Sequence, residues 1–177
     1  MVLYFITGNE GKLREAKAIL GNVEQLNIDL TEIQEIDPRK IIEHKLKEAM
    51  KHKDGSFIVE DTSLHINSLG GLPGPLIKWF MKTMGNEGIA DIALKTNSSE
   101  ATARTLIGYA KNKDEIKFFE GTIRGKIVQP AGDRGFGWDK IFVPHGYNLT
   151  FAQMSEEEKN SISMRKIALS KLKEFLG

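Results

Sequence analysis

The chain has 177 residues, which fits one ordinary domain that buries about 70% of the surface its unfolded form exposes. Its 25 basic and 24 acidic residues nearly balance, so a large basic face for polymeric nucleic acid is not predicted. The absence of cysteine excludes disulfides, thiolate metal sites and a cysteine nucleophile. The first residues lack the basic segment of a signal peptide, and no apolar run approaches the roughly 20 residues of a membrane span. We therefore expect a cytoplasmic protein without a membrane partner.

Short apolar runs and helical spacing alternate in the first half of the chain. Residues 2–6 and 28–33 are predicted to be strands, and Leu13, Ala16 and Leu20 recur between them at helical spacing. Each run is short enough for one buried strand, as in an α/β sheet.

A second helix is predicted to begin at Asp37-Pro38, because a carboxylate caps a helix well and proline suits its first position. The buried stripe of this helix is Ile41, Ile42, Leu46, Ala49 and Met50. A third strand over residues 57–59 is predicted to end at the acid pair Glu60-Asp61.

The second half contains a predicted hairpin between helical segments. Ser155 and Glu158 form a capping box at the start of a C-terminal helical region. The remaining elements are helices over residues 76–84 and 88–94, an antiparallel pair over 102–110 and 116–123, and short strands over 126–128 and 141–143. This order predicts an α/β fold with a mixed sheet.

A rigid segment follows the acid pair closely. Four of the five residues from Gly70 to Gly74 are glycine or proline, and a helix bearing Lys78 and Trp79 comes next. Such residues contribute little packing, but they let a backbone approach a ligand closely. A snorkelling lysine on the helix surface is the simpler interpretation of Lys78.

A second glycine-containing loop, Thr7-Gly8-Asn9-Glu10-Gly11-Lys12, lies between the first strand and the first helix. Small residues there leave backbone N–H groups free to bind an anion at the helix N-terminus, and Lys12 adds a charge. The spacing differs from that of a P-loop. An ordinary strand-to-helix turn is the alternative.

Asp61, followed by Thr62, is the better candidate of the acid pair, because strand alternation directs only one of the two side chains into a site. A carboxylate can hold Mg²⁺ and polarise an attacking water. Glu32 is a weaker candidate for a second metal ligand. Solvated charges are the alternative for both.

Phe136 and Trp138 flank Gly137, so in a strand-like loop both rings would face one way and sandwich a flat base. Asp139 would then accept hydrogen bonds from the base edge. Alternatively the rings fill the core and Asp139 caps a turn.

Three further cations are candidates. Lys45 lies at the edge of the apolar face of its helix. Lys159 and Arg165 would lie about 240° apart on one unbroken helix, and they converge on a ligand only if the helix breaks. We therefore predict an interruption of the helical region between them. Surface charges are the alternative.

Five motifs, in this order, make the chain resemble the inosine triphosphate pyrophosphatase family, which hydrolyses deaminated purine nucleoside triphosphates such as ITP, dITP and XTP. The resemblance spans residues 5–169 and is closest to the eukaryotic-type enzymes. The motifs are Thr7-Gly8-Asn9-x-x-Lys12, Val59-Glu60-Asp61-Thr62, residues 69–80, Phe136-Gly137-Trp138-Asp139 and Glu158-Lys159-Asn160-x-x-Ser163-x-Arg165.

The resemblance implies a role for each candidate. Asp61 would activate water and, with Glu32, hold Mg²⁺, while Lys12 would act in catalysis. The triphosphate would be held by Thr7, Gly8, Asn9, Lys12 and Lys159, assisted by Lys45, Thr62 and Lys78. The base would be bound by Phe136, Gly137, Trp138, Asp139, Met164 and Arg165. The family fold implied is an elongated single domain, here residues 1–177, with a twisted mixed sheet, flanking helices and two lobes around a nucleotide-binding cleft, usually as a homodimer.

Three positions depart from the family pattern. Met164 replaces a usual histidine and cannot donate a hydrogen bond, which predicts weaker discrimination between purines. Leu76 replaces an aromatic residue, and Ser63 stands where glycine or cysteine is common.

Two other functions compete with this interpretation. A Maf-type pyrophosphatase would act on other modified nucleotides, but the Phe136–Asp139 motif argues against it. A nucleotide sensor would bind without turnover, but it would not need both Asp61 and Lys12.

Overall fold

A mixed sheet of seven strands organises residues 2–177, the part of the chain that this computed structural model describes; Met1, the first residue of the predicted domain, lies outside it. The strands are β1 (Leu3–Ile6), β2 (Val23–Leu26), β3 (Ser56–Ile66), β4 (Pro73–Gly74), β5 (Glu100–Asn112), β6 (Glu115–Ile127) and β7 (Phe142–Pro144). The helices are α1 (Glu10–Leu20), α2 (Pro38–Ala49), α3 (Ile77–Leu94), α4 (Glu156–Ile162) and α5 (Met164–Leu176). Short 3-10 helices cover Asn67–Leu69 and Gly137–Ile141.

The strand order is β2-β1-β3-β5-β6-β7, and β4 pairs with β3 outside this path. Strand β1 is parallel to both β2 and β3, whereas β4 is antiparallel to β3 and β7 is antiparallel to β6. The predicted α/β fold with a mixed sheet and flanking helices is therefore confirmed. Among the described residues, no helix is both long and apolar enough to cross a membrane.

Three strand predictions were wrong. The predicted separate short strand over 126–128 does not form, because β6 continues without a break to Ile127. The second strand is Val23–Leu26, and residues 27–35 have no regular secondary structure. Leu26 already pairs with Ile6, the last residue of β1, so residues further along find no β1 partner. Strand β3 does not end at the acid pair but continues to Ile66.

Contacts divide the chain into two units. The first comprises the chain up to Asp61, Thr105–Gly121 and Arg165–Gly177. Its strands carry α1 and α5 on one face, where the cluster is Phe5, Ala16, Val23, Ile58, Ile107, Tyr109, Ala168, Leu169 and Leu172. Helix α2 covers the other face, where the cluster is Tyr4, Ile42, Leu46, Ala49, Phe57, Val59, Leu106 and Ala110.

Glycine brings α2 close to the sheet. A Cβ atom built on Gly108 of β5 would collide with the Ile42 side chain and lie 2.9 Å from Leu46 Cδ1. Helix α2 begins as predicted, with Pro38 in its first turn and the Asp37 carboxylate accepting a hydrogen bond from Arg39 N at 2.9 Å.

The second unit comprises Thr62–Arg104 and Thr122–Met164. Its core joins β3, α3, β5 and β7 to the segment around Trp138, which packs edge-on against Phe142 with ring centroids 5.6 Å apart. Helix α3 is broken at Gly85, where φ is 66° and ψ is −171°.

The C-terminal helical region is interrupted as predicted. Helix α4 ends at Ile162, Ser163 is extended, and α5 begins at Met164. The predicted capping box is also present, since Ser155 Oγ accepts from Glu158 N and Glu158 Oε2 accepts from Ser155 N.

Candidate functional site

Two adjacent carboxylates of β3 lie on opposite faces of the sheet in the first unit. Side chains alternate along a strand, so Glu60 shares the face of Ile58, while Asp61 shares that of Val59. Glu60 is thereby directed toward α1 and α5, and Asp61 toward α2. Both side chains are buried.

Glu60 is held by two cations. Arg165 donates to it bidentately, from Nε at 2.9 Å and from Nη2 at 3.1 Å, and Lys12 Nζ lies 2.8 Å from Glu60 Oε1. The third guanidinium nitrogen, Nη1, donates to Glu15 Oε2 at 2.9 Å. Burial alone would raise the pKa of Glu60, but the charges of Arg165 and Lys12 outweigh it and hold this pKa well below its usual value. The same carboxylates raise the pKa of Arg165 against the effect of its burial.

Asp61 has a contrasting environment. Its Oδ2 is buried and accepts no hydrogen bond from the residues that the structure describes. Burial raises the pKa of Asp61 to about 6; Lys45 and Lys12 lower it, while Glu32 and Glu60 raise it. Lys45 Nζ and Glu32 Oε1 form an ion pair at 2.7 Å. The structure thus brings together Asp61, Lys45, Glu32 and Lys12, all singled out from the sequence, and we call them the Asp61 group.

The loop before α1 is built by its own side chains. Thr7 Oγ1 accepts from Asn9 N at 3.0 Å, and Asn9 Oδ1 accepts from Lys12 N at 3.1 Å as the helix cap. The Thr7 carbonyl accepts from Gln25 Nε2 at 2.9 Å. These bonds fix the loop that carries Gly8 and orient Lys12. Phosphate binding by the loop stays a prediction.

In the second unit, residues 135–139 form a segment that we call the aromatic loop. Asp139 Oδ2 accepts from Phe136 N at 2.8 Å and from Lys159 Nζ at 2.6 Å. The Lys159 ammonium also lies 4.6 Å from the Phe136 ring centroid. A Cβ on Gly135, whose φ is +71°, would collide with the Asp139 carboxylate, so this position requires glycine.

The premise that both aromatic rings face one way was wrong. The loop is not strand-like, because Gly137 has a φ of +60° and opens a 3-10 helix. Phe136 is 47% exposed, whereas Trp138 is 7% exposed and packs in the core. Asp139 caps the loop, as the alternative interpretation had it. Base stacking therefore stays a prediction that concerns Phe136 first.

The remaining predicted residues have varied positions. Met164 is buried in the core of the second unit, and Lys78 is exposed on α3, 6.0 Å from the Trp79 ring centroid. Thr62 follows Asp61 on β3 and is partly buried, and Lys159 is buried. The guanidinium of Arg165 faces Glu60 and Glu15. A structural role, as the cation of a buried ion-pair network, therefore stands beside the predicted contact with a base.

The Asp61 group fits a hard divalent cation. A buried carboxylate oxygen without a hydrogen-bond partner is an oxygen ligand of the kind that Mg²⁺ takes. The described residues contain no cluster of three or more histidine, cysteine or acidic side chains arranged for a metal. Mg²⁺ is usually bound through one or two carboxylates plus substrate phosphates.

Two residues were not predicted from the sequence although they contact predicted site residues: Glu15, which pairs with Arg165, and Asn86, which bonds Gly137 of the aromatic loop. Glu15 is buried on α1, and its only signal in the sequence was its position beside Ala16 of the predicted apolar stripe. Asn86 donates from Nδ2 to the Gly137 carbonyl at 3.1 Å. The Gly85-Asn86 pair between two predicted helical segments was its only signal.

The chain belongs to the Ham1 family, whose profile matches residues 3–175. It is 39% identical to a protein named inosine triphosphate pyrophosphatase from Schizosaccharomyces pombe, over 98% of this chain and 94% of that protein. It is 43% identical to a protein of the same name from Yarrowia lipolytica, over 100% of this chain and 96% of that one. The structure of the Staphylococcus aureus Ham1 protein superposes with a TM-score of 0.85 at 26% identity, covering 98% of this chain and 97% of that chain. The suspected family is thereby confirmed.

Proposed function

We propose that the protein is a nucleoside triphosphate pyrophosphatase that hydrolyses deaminated purine nucleotides, ITP, dITP and XTP, to the monophosphate and pyrophosphate. The observation that carries this proposal is the Asp61 carboxylate, which is buried, has an unpartnered oxygen and lies near two lysines in a chain of the Ham1 family. The names of the two fungal relatives support the substrate class.

In this proposal Asp61 acts as the general base. It accepts a proton from water as the water oxygen bonds to the α-phosphorus, and the bond from that phosphorus to the bridging oxygen breaks. Pyrophosphate leaves with the bonding electrons. A pKa of about 6 suits this role, because the carboxylate is ionised at neutral pH and is more basic than an ordinary aspartate.

Lys12 and Lys45 supply positive charge for the phosphoryl oxygens, where negative charge spreads in the transition state. Lys12 is oriented by Glu60 and by the capped start of α1, and Lys45 by Glu32. Asp61 and Glu32 would hold Mg²⁺, which when bound would neutralise phosphate charge and lower the pKa of the attacking water. No covalent intermediate is needed.

The base is assigned to the aromatic loop. The exposed Phe136 ring offers a stacking face. Lys159, which the family resemblance assigned to the triphosphate, lies beside that ring and carries only donors, so we propose the base as its partner instead. A 6-oxo purine presents an acceptor where adenine presents a donor, so donors favour the deaminated base. Discrimination arises because the wrong base would leave buried polar groups unpaired.

A homodimer and a cytoplasmic location complete the proposal. The homodimer rests on the family resemblance, and sedimentation of the purified protein measures it directly. The cytoplasmic location rests on the sequence expectation given above.

The decisive experiment is steady-state hydrolysis of ITP, XTP, GTP and ATP with Mg²⁺. Pyrophosphate is detected as the phosphate released only when inorganic pyrophosphatase is added. We expect the largest kcat/KM for ITP and XTP, with pyrophosphate rather than phosphate as the first product. Tight ITP binding without turnover would instead identify a nucleotide sensor, and preference for another modified nucleotide would contradict the substrate assignment.

A further inference from the structure

We propose that Asn86 is a positioning residue for base binding, because its side-chain amide holds the Gly137 carbonyl and so fixes the aromatic loop. This inference rests on the proposed function for its consequence, but the tether itself is a feature of the second unit. Asn86 lies on α3 and Gly137 is 51 residues further along the chain, at a hydrogen-bond distance of 3.1 Å.

The break in α3 precedes this contact directly. Gly85 leaves helical geometry with a φ of 66°, and Asn86 is the first residue after it. Any residue with a side chain would be strained at that φ, so glycine permits the kink in the helix at position 85. The second half of α3 then starts with the residue that reaches the aromatic loop.

The orientation of the amide is determined by chemistry. Only the NH₂ group of asparagine can donate to a carbonyl, so Nδ2 must face Gly137. Asn86 Oδ1 is buried and has no hydrogen-bond partner among residues 2–177. Among residues 2–177, the hydrogen bond from Nδ2 to Gly137 is therefore the polar contact of this side-chain amide.

Gly137 has no side chain that could hold this part of the loop in place. Its φ of +60° lies in the left-handed region that glycine adopts without strain. A Cβ atom built there would meet no other atom within 4 Å. Its neighbours are the exposed Phe136 and the buried Trp138. Asp139 and Lys159 hold one side of the loop. Asn86 restrains the Gly137–Trp138 peptide, and through it the direction in which the Phe136 ring points.

The test uses Asn86→Asp, which keeps the side-chain shape but replaces the donor with an acceptor. A carboxylate directly after a helix break is tolerated by the helix dipole, so folding should not suffer through α3. The matched control is Gln129→Glu, because Gln129 Nε2 donates to Asp91 Oδ1 of the same helix at 3.2 Å and neither residue belongs to the aromatic loop. Asn86→Ala repeats the test without a new charge.

We expect both Asn86 variants to raise KM for ITP about two- to tenfold, the range for loss of one hydrogen bond, with kcat within about twofold. The inhibition constant of pyrophosphate, which has no base, should stay within about twofold of wild type. Gln129→Glu should change neither quantity. An unchanged KM for ITP, an equal weakening of pyrophosphate, or the same effect from Gln129→Glu would overturn the inference.

A second readout does not depend on turnover. The chain has two tryptophans, so in a Trp79→Phe background Trp138 reports the loop alone. Asn86→Asp should shift its fluorescence emission, and Gln129→Glu should not. If the wild-type protein does not hydrolyse ITP, the proposed function fails. The tether is then judged by this emission, where an unshifted spectrum overturns it.

Discussion

Glu60 and Asp61 are neighbours on β3, yet the first is fully ion-paired and the second keeps a buried oxygen without a hydrogen-bond partner. The pKa of Glu60 is lowered and that of Asp61 is raised to about 6. Strand alternation produces this difference, since it sends one carboxylate toward the cations of α1 and α5 and the other toward α2. Glu60 is therefore a structural charge, and Asp61 is the candidate catalytic carboxylate.

Asp61→Asn should reduce kcat for ITP on the order of 10²-fold or more, because it removes the proposed base and a metal ligand. Nucleotide binding should be largely retained, since the lysines remain. Stopped-assay rates and equilibrium binding of ITP check the two halves separately. A kcat near that of wild type would exclude Asp61 as the base.

The same variant should be more stable than wild type in metal-free buffer at pH 8. A pKa raised from 3.8 to about 6 means that folding favours the protonated carboxyl. Its contribution, roughly 3 kcal/mol, is fully present below about pH 4 and is lost as the pH rises through 6. Asparagine does not ionise, so we expect Asp61→Asn to gain about 1–3 kcal/mol at pH 8 and little at pH 4. Urea titrations with EDTA at both pH values measure this, and equal gains at both would contradict it.

Glu60→Gln should destabilise the fold by about 3–5 kcal/mol, because it removes the bidentate partner of the buried Arg165. The lowered pKa of Glu60 gives the opposite pH dependence to Asp61. Its stabilisation is present above about pH 4.5 and is lost as the pH falls through the folded pKa. Glu15→Gln is the matched control, since Glu15 bonds only Nη1 among the Arg165 contacts described above. It should cost less than Glu60→Gln in urea unfolding at pH 7, and a larger cost would refute this ranking.

Phe136→Ala should weaken ITP binding by roughly 1–3 kcal/mol, the range for a base stacked on an aromatic ring, and leave pyrophosphate binding unchanged. Trp138→Ala should mainly destabilise the fold, by about 3–5 kcal/mol, because the indole is buried against Phe142 and Phe151. Calorimetry with both ligands and thermal unfolding distinguish the two effects.

The control for Phe136 is Phe175→Ala, which truncates a phenylalanine of nearly equal exposure, 46% against 47%, in the first unit. Phe175 packs near Tyr109 and Phe119, away from the aromatic loop in sequence. We expect it to leave ITP affinity unchanged. Comparable losses from both truncations would show that Phe136 has no specific role.

Met164→His should raise the ITP:ATP ratio of kcat/KM between a few-fold and about a hundredfold, because it restores a side-chain donor for the 6-oxo group of the base. Met164 is buried among apolar residues, so the variant should also lose stability, by about 1–3 kcal/mol for a buried polar group without a partner. Met164→Leu is the apolar control and should leave both quantities nearly unchanged. An unchanged ratio in the histidine variant would mean that Met164 only packs.

Features with a local physical cause were predictable from the sequence. The start of α2 follows from a capping carboxylate and a proline, and the break after Ile162 from the spacing of Lys159 and Arg165. The hairpin of β5 and β6 was found, although both strands are longer than predicted. Within the Asp61 group, Asp61 and Lys12 were identified because they lie in motifs that carry the family resemblance. Glu32 and Lys45 lie outside those motifs and were weaker candidates.

Only the tertiary structure decided which of these side chains meet. Trp138 is buried and Phe136 exposed because Gly137 turns the chain between them, a conformation that strand-like alternation could not anticipate. Arg165 bonds Glu60 and Glu15 across 105 and 150 residues of chain. Contacts of that kind depend on which helix packs on which face of the sheet, and the burial that makes them strong is absent until the sheet and its helices have assembled.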